Sequence, residues 1–338
     1  MTLKALLVGA GGMGRAWGKM MRYCTDVHIG GWIDVQPDLA AQATDELKLS
    51  NVHTGTDFEQ ALVEVQPDFV VDVTTPEAHH DVTIAALVAG IPVLGEKPMA
   101  DSMEHARAMV SASEQANVLY MVSQSRRYNA QLHALRRFID TRIGRLGVLN
   151  SDFYIGAHFG GFRDKMLSPL ILDMAIHTFD AARFLSNADP VAVYCEEFNP
   201  SWSWYKGDAC ATAIFEMTDG LRYTYCGSWC SEGAHTSWDG EWRAVGSYGS
   251  VLWDGHTAPC ADVVQQRGGF YSETESQTIE SDQDFVSGIE GALHDFLHAL
   301  KTGSTPMGEC HDNIKSLAMV FGAIESAQTK QRVVFSEL

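Results

Sequence analysis

Short apolar runs recur along the first third of the chain, and the segments between them read as helices. The runs at 3–8, 27–33, 69–73, 91–94 and 118–122 predict buried strands. The segments at 12–23, 37–47, 77–89 and 102–115 predict helices. Strands alternating with helices at this spacing build βαβ units and a parallel sheet. Right-handed crossovers then place helices on both faces of that sheet.

After about residue 125 the pattern changes. A helix near 129–140 precedes Gly144 and Gly147. Strand-like segments follow at 148–158, 190–198, 208–217, 220–229, 241–246 and 250–254, interrupted by one helix at 169–185. Two helices, at 284–301 and 310–328, close the chain. Consecutive strands joined by turn signals such as Thr218-Asp219-Gly220 predict a mostly antiparallel sheet with helices on one side. The chain of 338 residues suits two domains, and the change of pattern sets them at 1–124 and 125–338. No internal repeat or low-complexity segment interrupts them.

The turn after the first strand carries the first chemistry. Gly9-Ala10-Gly11-Gly12-Met13-Gly14 fits G-x-G-x-x-G between an apolar strand and a helix. The first glycine permits the tight turn, the second lets backbone approach a pyrophosphate, and the third allows close helix–strand packing. Phosphate would sit at the helix N-terminus, where N–H groups and the helix dipole favour an anion. Asp34 ends the second strand 20 residues after Gly14. A carboxylate there accepts ribose hydroxyls and repels a 2′-phosphate, and no Arg or Lys is adjacent to pair one. NAD is therefore expected over NADP. The fold class expected is an α/β Rossmann-type dinucleotide-binding domain plus an α+β C-terminal domain with a large, mostly antiparallel open sheet.

Composition narrows the partners. Lys plus Arg number 24 against 43 Asp plus Glu, a formal charge of −19, which repels phosphate backbones and anionic lipid. Seven scattered cysteines form no disulfide framework and suit a reducing compartment. No apolar run is long enough to span a bilayer, and the apolar start ending at Gly9 is too short for a signal peptide. A cytoplasmic protein is expected. Zinc is not: Cys226, Cys230 and His235 lack knuckle spacing, Cys310-His311 stands isolated, and no Glu follows His294 in the His294/His298 pair.

Further motifs fall at the predicted carboxyl ends of parallel strands, where open α/β sheets place ligands. They are Thr75-Pro76 to His79 and Ala89-Gly90 to Glu96-Lys97-Pro98; a further motif, Asp173 to His177, lies downstream on a predicted helix. With the glycine turn, Gln124-Ser125-Arg126-Arg127-Tyr128 and Ile143-Gly144-Arg145-Leu146, the whole chain resembles the glucose–fructose oxidoreductase, inositol dehydrogenase and MocA family. The resemblance implies that Thr74, Thr75, Pro76 and His79 line the adenosine–ribose side of the cofactor. It implies that Gln124 joins the cofactor site and that Glu96 and Lys97 reach the nicotinamide ribose and substrate. A cis Lys97–Pro98 bond is also implied. Where the family has glycines before the downstream Asp, this chain has Leu170-Ile171-Leu172.

Asp173 and His177 are four apart on the predicted helix and share a face, with Ser168-Pro169 as cap and first residue. Oxidising a secondary alcohol needs a base for the hydroxyl proton, and imidazole titrates near working pH. His177 is the expected base, Lys97 the donor to the developing alkoxide, and Asp173 the group that holds the hydroxyl or orients the imidazole. The roles of Lys97 and His177 are interchangeable at this point. Six of eight tryptophans lie between Trp202 and Trp253. Most are assigned to packing or to a homodimer or homotetramer interface through the C-terminal sheet, a contact that the resemblance implies. Trp229 and Trp238 are kept as substrate walls, with Arg127, Tyr154 and His158 as further substrate contacts. The expected activity is an NAD-dependent dehydrogenase of a sugar, sugar derivative or cyclitol. The alternatives are an NAD-dependent glycosidase and a non-catalytic dinucleotide sensor.

Overall fold

The computed structural model describes residues 2–335, which divide into two compact units. The chain up to Ser125 groups with Ser287–Ile314, and Arg126–Val286 groups with the residues from Lys315 on. The return of 287–314 to the first unit is a feature that a single boundary near 124 does not contain.

The first unit holds six strands: β1 Leu3–Val8, β2 Val27–Ile33, β3 His53–Gly55, β4 Phe69–Asp72, β5 Val93–Glu96 and β6 Tyr120–Ser123. All pair in parallel, in the order β3-β2-β1-β4-β5-β6. Helices α1 Gly12–Met21, α2 Leu39–Glu46, α3 Phe58–Val65, α4 Pro76–Val88 and α5 Met103–Ala116 connect them. Strand order reverses at β1 and β4, so the segments after Val8 and after Asp72 leave the sheet at a topological switch point. β4, β5 and β6 are buried along their whole length, as strands covered on both faces must be.

The second unit is an open nine-stranded sheet. Its strands are β7 Leu146–Tyr154, β8 Pro190–Phe198, β9 Cys210–Met217, β10 Arg222–Ser228, β11 Glu241–Gly246, β12 Gly249–Trp253, β13 Cys260–Gln266, β14 Glu273–Thr278 and β15 Val333–Val334. The order is β14-β13-β12-β11-β7-β10-β9-β8-β15, antiparallel throughout except for the β7–β10 pair. Helices α6 Ala130–Phe138 and α7 Ile176–Ser186 belong to this unit, and α8 Gly288–Thr302 to the first. The last helix, α9, spans Cys310–Thr329.

Alternation along the strands turns Phe153, Phe215, Tyr223 and Tyr225 to one face, where α7 covers them. Phe179 of α7 meets Phe215 and Tyr225 edge-on, with centroids 4.9 and 5.2 Å apart. Each such buried ring stabilises the unit by roughly 1.5–3 kcal/mol. The region expected as one helix over 169–185 is two pieces. Leu170–Ala175 forms a wider, π-helical turn before α7 begins at Ile176. Ser168 does not cap it: its hydroxyl donates to Glu197 Oε2 at 3.0 Å. The wider turn changes the angular step, so spacing alone no longer sets which face Asp173 and His177 share.

Candidate active site

In the first unit the glycine turn and Asp34 are joined directly. The Ala10 N–H donates to Asp34 Oδ2 at 2.7 Å, and the Gln36 N–H to Oδ1 at 2.9 Å. Gly9 has φ +101°, and a Cβ there would stand 2.6 Å from the Val73 carbonyl oxygen. A Cβ on Gly14 would stand 2.1 Å from the Gly9 carbonyl oxygen. Internal packing therefore requires both glycines. Gly11 and Gly12 differ: a Cβ on either meets nothing within 4 Å, and neither has positive φ. Among the described residues nothing explains their being glycine, whereas a phosphate approaching the backbone does. Gly11 begins α1 with no side-chain cap, and no acidic residue occupies the first turn, leaving the helix start receptive to an anion. Met13 beside them is half exposed.

The end of β4, the strand beside β1, and the segment after it form a second constellation. Asp72 is fully buried and takes the Thr74 hydroxyl at 2.6 Å, with His79 Nδ1 3.0 Å from its other oxygen. Burial opposes a charged His79, but the Asp72 carboxylate, with Glu96 and Glu77, outweighs it and raises the imidazole pKa. His79 is thus an internal partner of Asp72, with Nε2 lacking a protein hydrogen bond. Thr75 precedes α4 without capping it, and Pro76 is its first residue. Asp72 was not among the expected residues; an acid inside the apolar run 69–73 was the available signal.

At the end of β5, Glu96 points inward. Its Oε1 accepts from the Trp17 indole at 2.7 Å and its Oε2 from the Lys97 N–H at 3.1 Å. Burial raises its pKa, against the Trp17 and Lys97 contacts. The Lys97–Pro98 bond is cis, and the Lys97 side chain is half-buried. Gln124 is buried with neither amide atom hydrogen-bonded to protein. Buried polar atoms are nearly always satisfied, so this orphaned amide and His79 Nε2 are the kind of groups a bound dinucleotide completes. The residues present fit that cofactor.

In the second unit His177 borders a cavity of about 10 Å³, room for one water, lined also by Arg126, Asn129, Thr178 and Asp239. Burial lowers the Arg126 pKa to about 10; its guanidinium donates to the Trp238 carbonyl and to Met174 Sδ at 3.6 Å. Asp173 is held by Arg163, with Nε to Oδ2 at 2.6 Å. The Arg163 guanidinium carbon in turn lies 5.1 Å from the Phe159 ring centre and 4.7 Å from that of Phe162. Arg126 and Arg163 were not anticipated; no spacing rule links Arg163 to an acid ten residues on.

The expected substrate contacts separate into two groups. Arg127 is committed to Asp180 through two 2.7 Å bonds and is buried. Trp229 is 2% exposed and stacked on Tyr205, so it is core rather than a wall. By contrast Trp238 is 48% exposed beside Phe159. His158 stacks on Trp204 at 3.7 Å and pairs with Glu232 at 2.8 Å. Tyr154, the last residue of β7, is half-buried, and its N–H donates to Thr236 Oγ1.

Residues 3–124 match the family described as an oxidoreductase family with an NAD-binding Rossmann fold, and residues 132–252 match the GFO/IDH/MocA C-terminal domain. An uncharacterized protein of Sinorhizobium fredii is 26% identical over 353 residues, covering 100% of this chain and 97% of its own. Inositol 2-dehydrogenase of Rhizobium meliloti is 25% identical over 359 residues, covering 98% and 99%. Among solved structures, an oxidoreductase from Agrobacterium radiobacter in complex with NAD+, L-tartaric acid and magnesium matches the fold. Its TM-score is 0.85 at 20% identity, over 99% of this chain and 98% of that one. With both domains matched in order, the chain belongs to the GFO/IDH/MocA family of oxidoreductases, with that family's NAD-binding Rossmann and C-terminal domains.

Proposed function

We propose that the protein is an NAD-dependent dehydrogenase that oxidises a secondary hydroxyl of a sugar, sugar derivative or cyclitol. The observation that carries this reading is the company His177 keeps. A buried imidazole on a water-sized cavity and an ion-paired Asp173 accompany a dinucleotide-binding domain that presents Lys97 at a strand end. A sensor has no need of a proton-transfer set. The similarity to inositol 2-dehydrogenase supports the substrate class.

Gly9, Gly11, Gly12, Met13 and Gly14 would hold the dinucleotide, with Asp34, Thr74, Thr75, Pro76 and Gln124. Bound there, its nicotinamide ring supplies a hydride acceptor. The chain's own residues manage the proton. His177 takes it from the substrate hydroxyl, and Lys97 donates a hydrogen bond to the oxygen as negative charge develops. Asp173 orients the hydroxyl, and Arg163 positions Asp173. Tyr154, His158 and Trp238 are the remaining candidates for substrate contact.

A panel of inositols, aldoses and glycosides tests the reading, run in parallel with NAD and NADP. A member of the polyol classes should give net NADH, with kcat/KM higher for NAD because Asp34 repels a 2′-phosphate. NAD binding with no turnover on any member returns the protein to a sensor. Glycoside cleavage without net NADH makes it a glycosidase, and equal efficiency with NADP removes the Asp34 argument.

A homodimer or homotetramer through the second unit's sheet is part of the same proposal. Val148, Tyr194, Ile214, Val245 and Leu252 are exposed apolar residues on five of its strands. Light scattering at micromolar concentration should find at least a dimer; a monomer contradicts this part.

A further inference from the structure

We propose that Glu309, Cys310 and His311 form a metal-binding site suited to Zn²⁺, with Glu114 as the outer partner of the imidazole. Cys310 Sγ lies 3.0 Å from Glu309 Oε1 and 3.5 Å from His311 Nδ1, and Oε1 lies 2.7 Å from Nδ1. Three different donor atoms thus lie within 3.5 Å of one another. Zinc–ligand distances of about 2.0–2.3 Å in a tetrahedral site set ligand atoms about 3.3–3.7 Å apart. Each edge of the triangle therefore changes by less than about 1 Å on binding.

The donors are held in place by the fold of the first unit. Glu309 Oε2 accepts from the His311 N–H at 3.0 Å, so one oxygen is fixed and the other is presented to the cluster. The Glu309 carbonyl takes the Asp312 and Asn313 N–H groups at the start of α9. Just before it, the Gly308 carbonyl accepts from the Val122 N–H at 2.8 Å, and Met121 bridges Glu309. Gly308 has φ +86°, and a Cβ there would stand 2.5 Å from the Val122 carbonyl oxygen, so the segment is pinned to edge strand β6. From α5, Glu114 Oε1 lies 2.9 Å from His311 Nε2. A carboxylate on one ring nitrogen fixes the tautomer and turns the other toward a metal. Here the other is Nδ1, which faces Cys310 and Glu309.

The chemistry of the donors selects the ion. A thiolate, an imidazole and a carboxylate suit Zn²⁺, whereas Mg²⁺ and Ca²⁺ prefer all-oxygen shells. The start of a helix disfavours a cation, but the effect is that of half a charge. Glu309, the thiolate and Glu114 together exceed it. Glu309 and His311 also line an open groove, where water can supply the fourth ligand. Binding forms Zn–S, Zn–N and Zn–O bonds in place of bonds from the ion to water, and the thiol proton leaves to solvent while Nε2 keeps its proton toward Glu114. Glu114 is 197 positions from His311, which is why Cys310-His311 looks isolated in the sequence.

The test uses untagged full-length protein, stripped with a chelator and titrated with Zn²⁺ by calorimetry and with Co²⁺ by absorbance. One ion per chain is expected, with a thiolate-to-Co²⁺ charge-transfer band that Cys310→Ser abolishes. Glu114→Gln should weaken Zn²⁺ binding by about 10–100-fold, and His311→Ala by at least as much. Circular dichroism and NAD binding report whether each variant is folded. If Cys310→Ser does not fold, His311→Ala and Glu114→Gln, both at half-exposed side chains, decide the question. The absence of stoichiometric binding, the absence of the band, or an affinity indifferent to these substitutions overturns the site.

Discussion

Replacing Lys97 or His177 by alanine should lower turnover on the best polyol by about 100-fold or more, with NAD binding retained. In the proposed mechanism the two residues carry different parts of the proton's path. Without His177 no imidazole accepts the hydroxyl proton, and without Lys97 no ammonium stabilises the oxygen as it becomes anionic. A 100-fold loss corresponds to about 2.7 kcal/mol of transition-state stabilisation, within reach of one well-placed donor or base. Neither residue belongs to the glycine turn or to Asp34, so quenching of tryptophan fluorescence by NAD should be preserved. Near-normal turnover in either variant removes that residue from the mechanism. The pH profile separates the two assignments. If His177 is the base, the ionisation controlling the acid limb disappears in His177→Ala and persists in Lys97→Ala.

Asp180→Ala should destabilise the second unit by about 3–5 kcal/mol, among the largest costs of any single substitution. Arg127 meets Asp180 through two 2.7 Å bonds, and both side chains are under 10% exposed. Asp180 Oδ1 also accepts from Ser316, whose hydroxyl oxygen in turn accepts from Arg183. Removing the acid leaves a buried guanidinium without its bidentate partner. For a unit of this size the cost is a fall of roughly 6–20 °C in its melting transition. Replacing both partners by apolar residues, Arg127→Met with Asp180→Leu, should recover much of the loss, because the Arg127 guanidinium is then no longer buried without its carboxylate. A melting temperature unchanged in Asp180→Ala would show that the network contributes nothing. A double variant as unstable as the single one would place the cost in packing rather than charge.

The parts of the fold that were legible in the sequence are those written as contiguous patterns. β1, β2 and β4 to β6 are short, mostly apolar runs, and the glycine turn lies beside the strand and helix it joins. β14 was not legible because Glu273–Thr278 is polar and mostly exposed at the sheet edge, with no inner face to mark it. β3 is three residues without a buried side chain. Leu170-Ile171-Leu172 reads as ordinary helix, and its wider turn depends on packing that spacing does not encode.

The candidate site follows the same rule. Gly9 to Gly14 and Asp34 were readable together, because a 20-residue spacing reports a strand–helix–strand unit, and the Ala10–Asp34 hydrogen bond links them. Arg127 reads as a substrate contact from its place beside the expected domain boundary, in a segment where the resemblance implies such contacts; its commitment to Asp180 spans 53 positions, which no local pattern reports. Trp229 faces the core because its place just beyond β10 aims it at Tyr205, while Trp238 lies outside any strand and stays exposed. Partners brought together only by the tertiary fold, such as Arg163 on Asp173 and Glu114 on His311, are where sequence reading stops.

The central claim is hydride removal from a polyol carbon by this chain with NAD. The most direct measurement takes the best substrate of the panel, deuterated at the oxidised carbon, and follows the label by mass spectrometry and proton NMR. One deuterium at C4 of the nicotinamide is expected for each polyol oxidised, with loss of that transfer in His177→Ala. NAD that binds but never acquires deuterium from any polyol, sugar or cyclitol would contradict it.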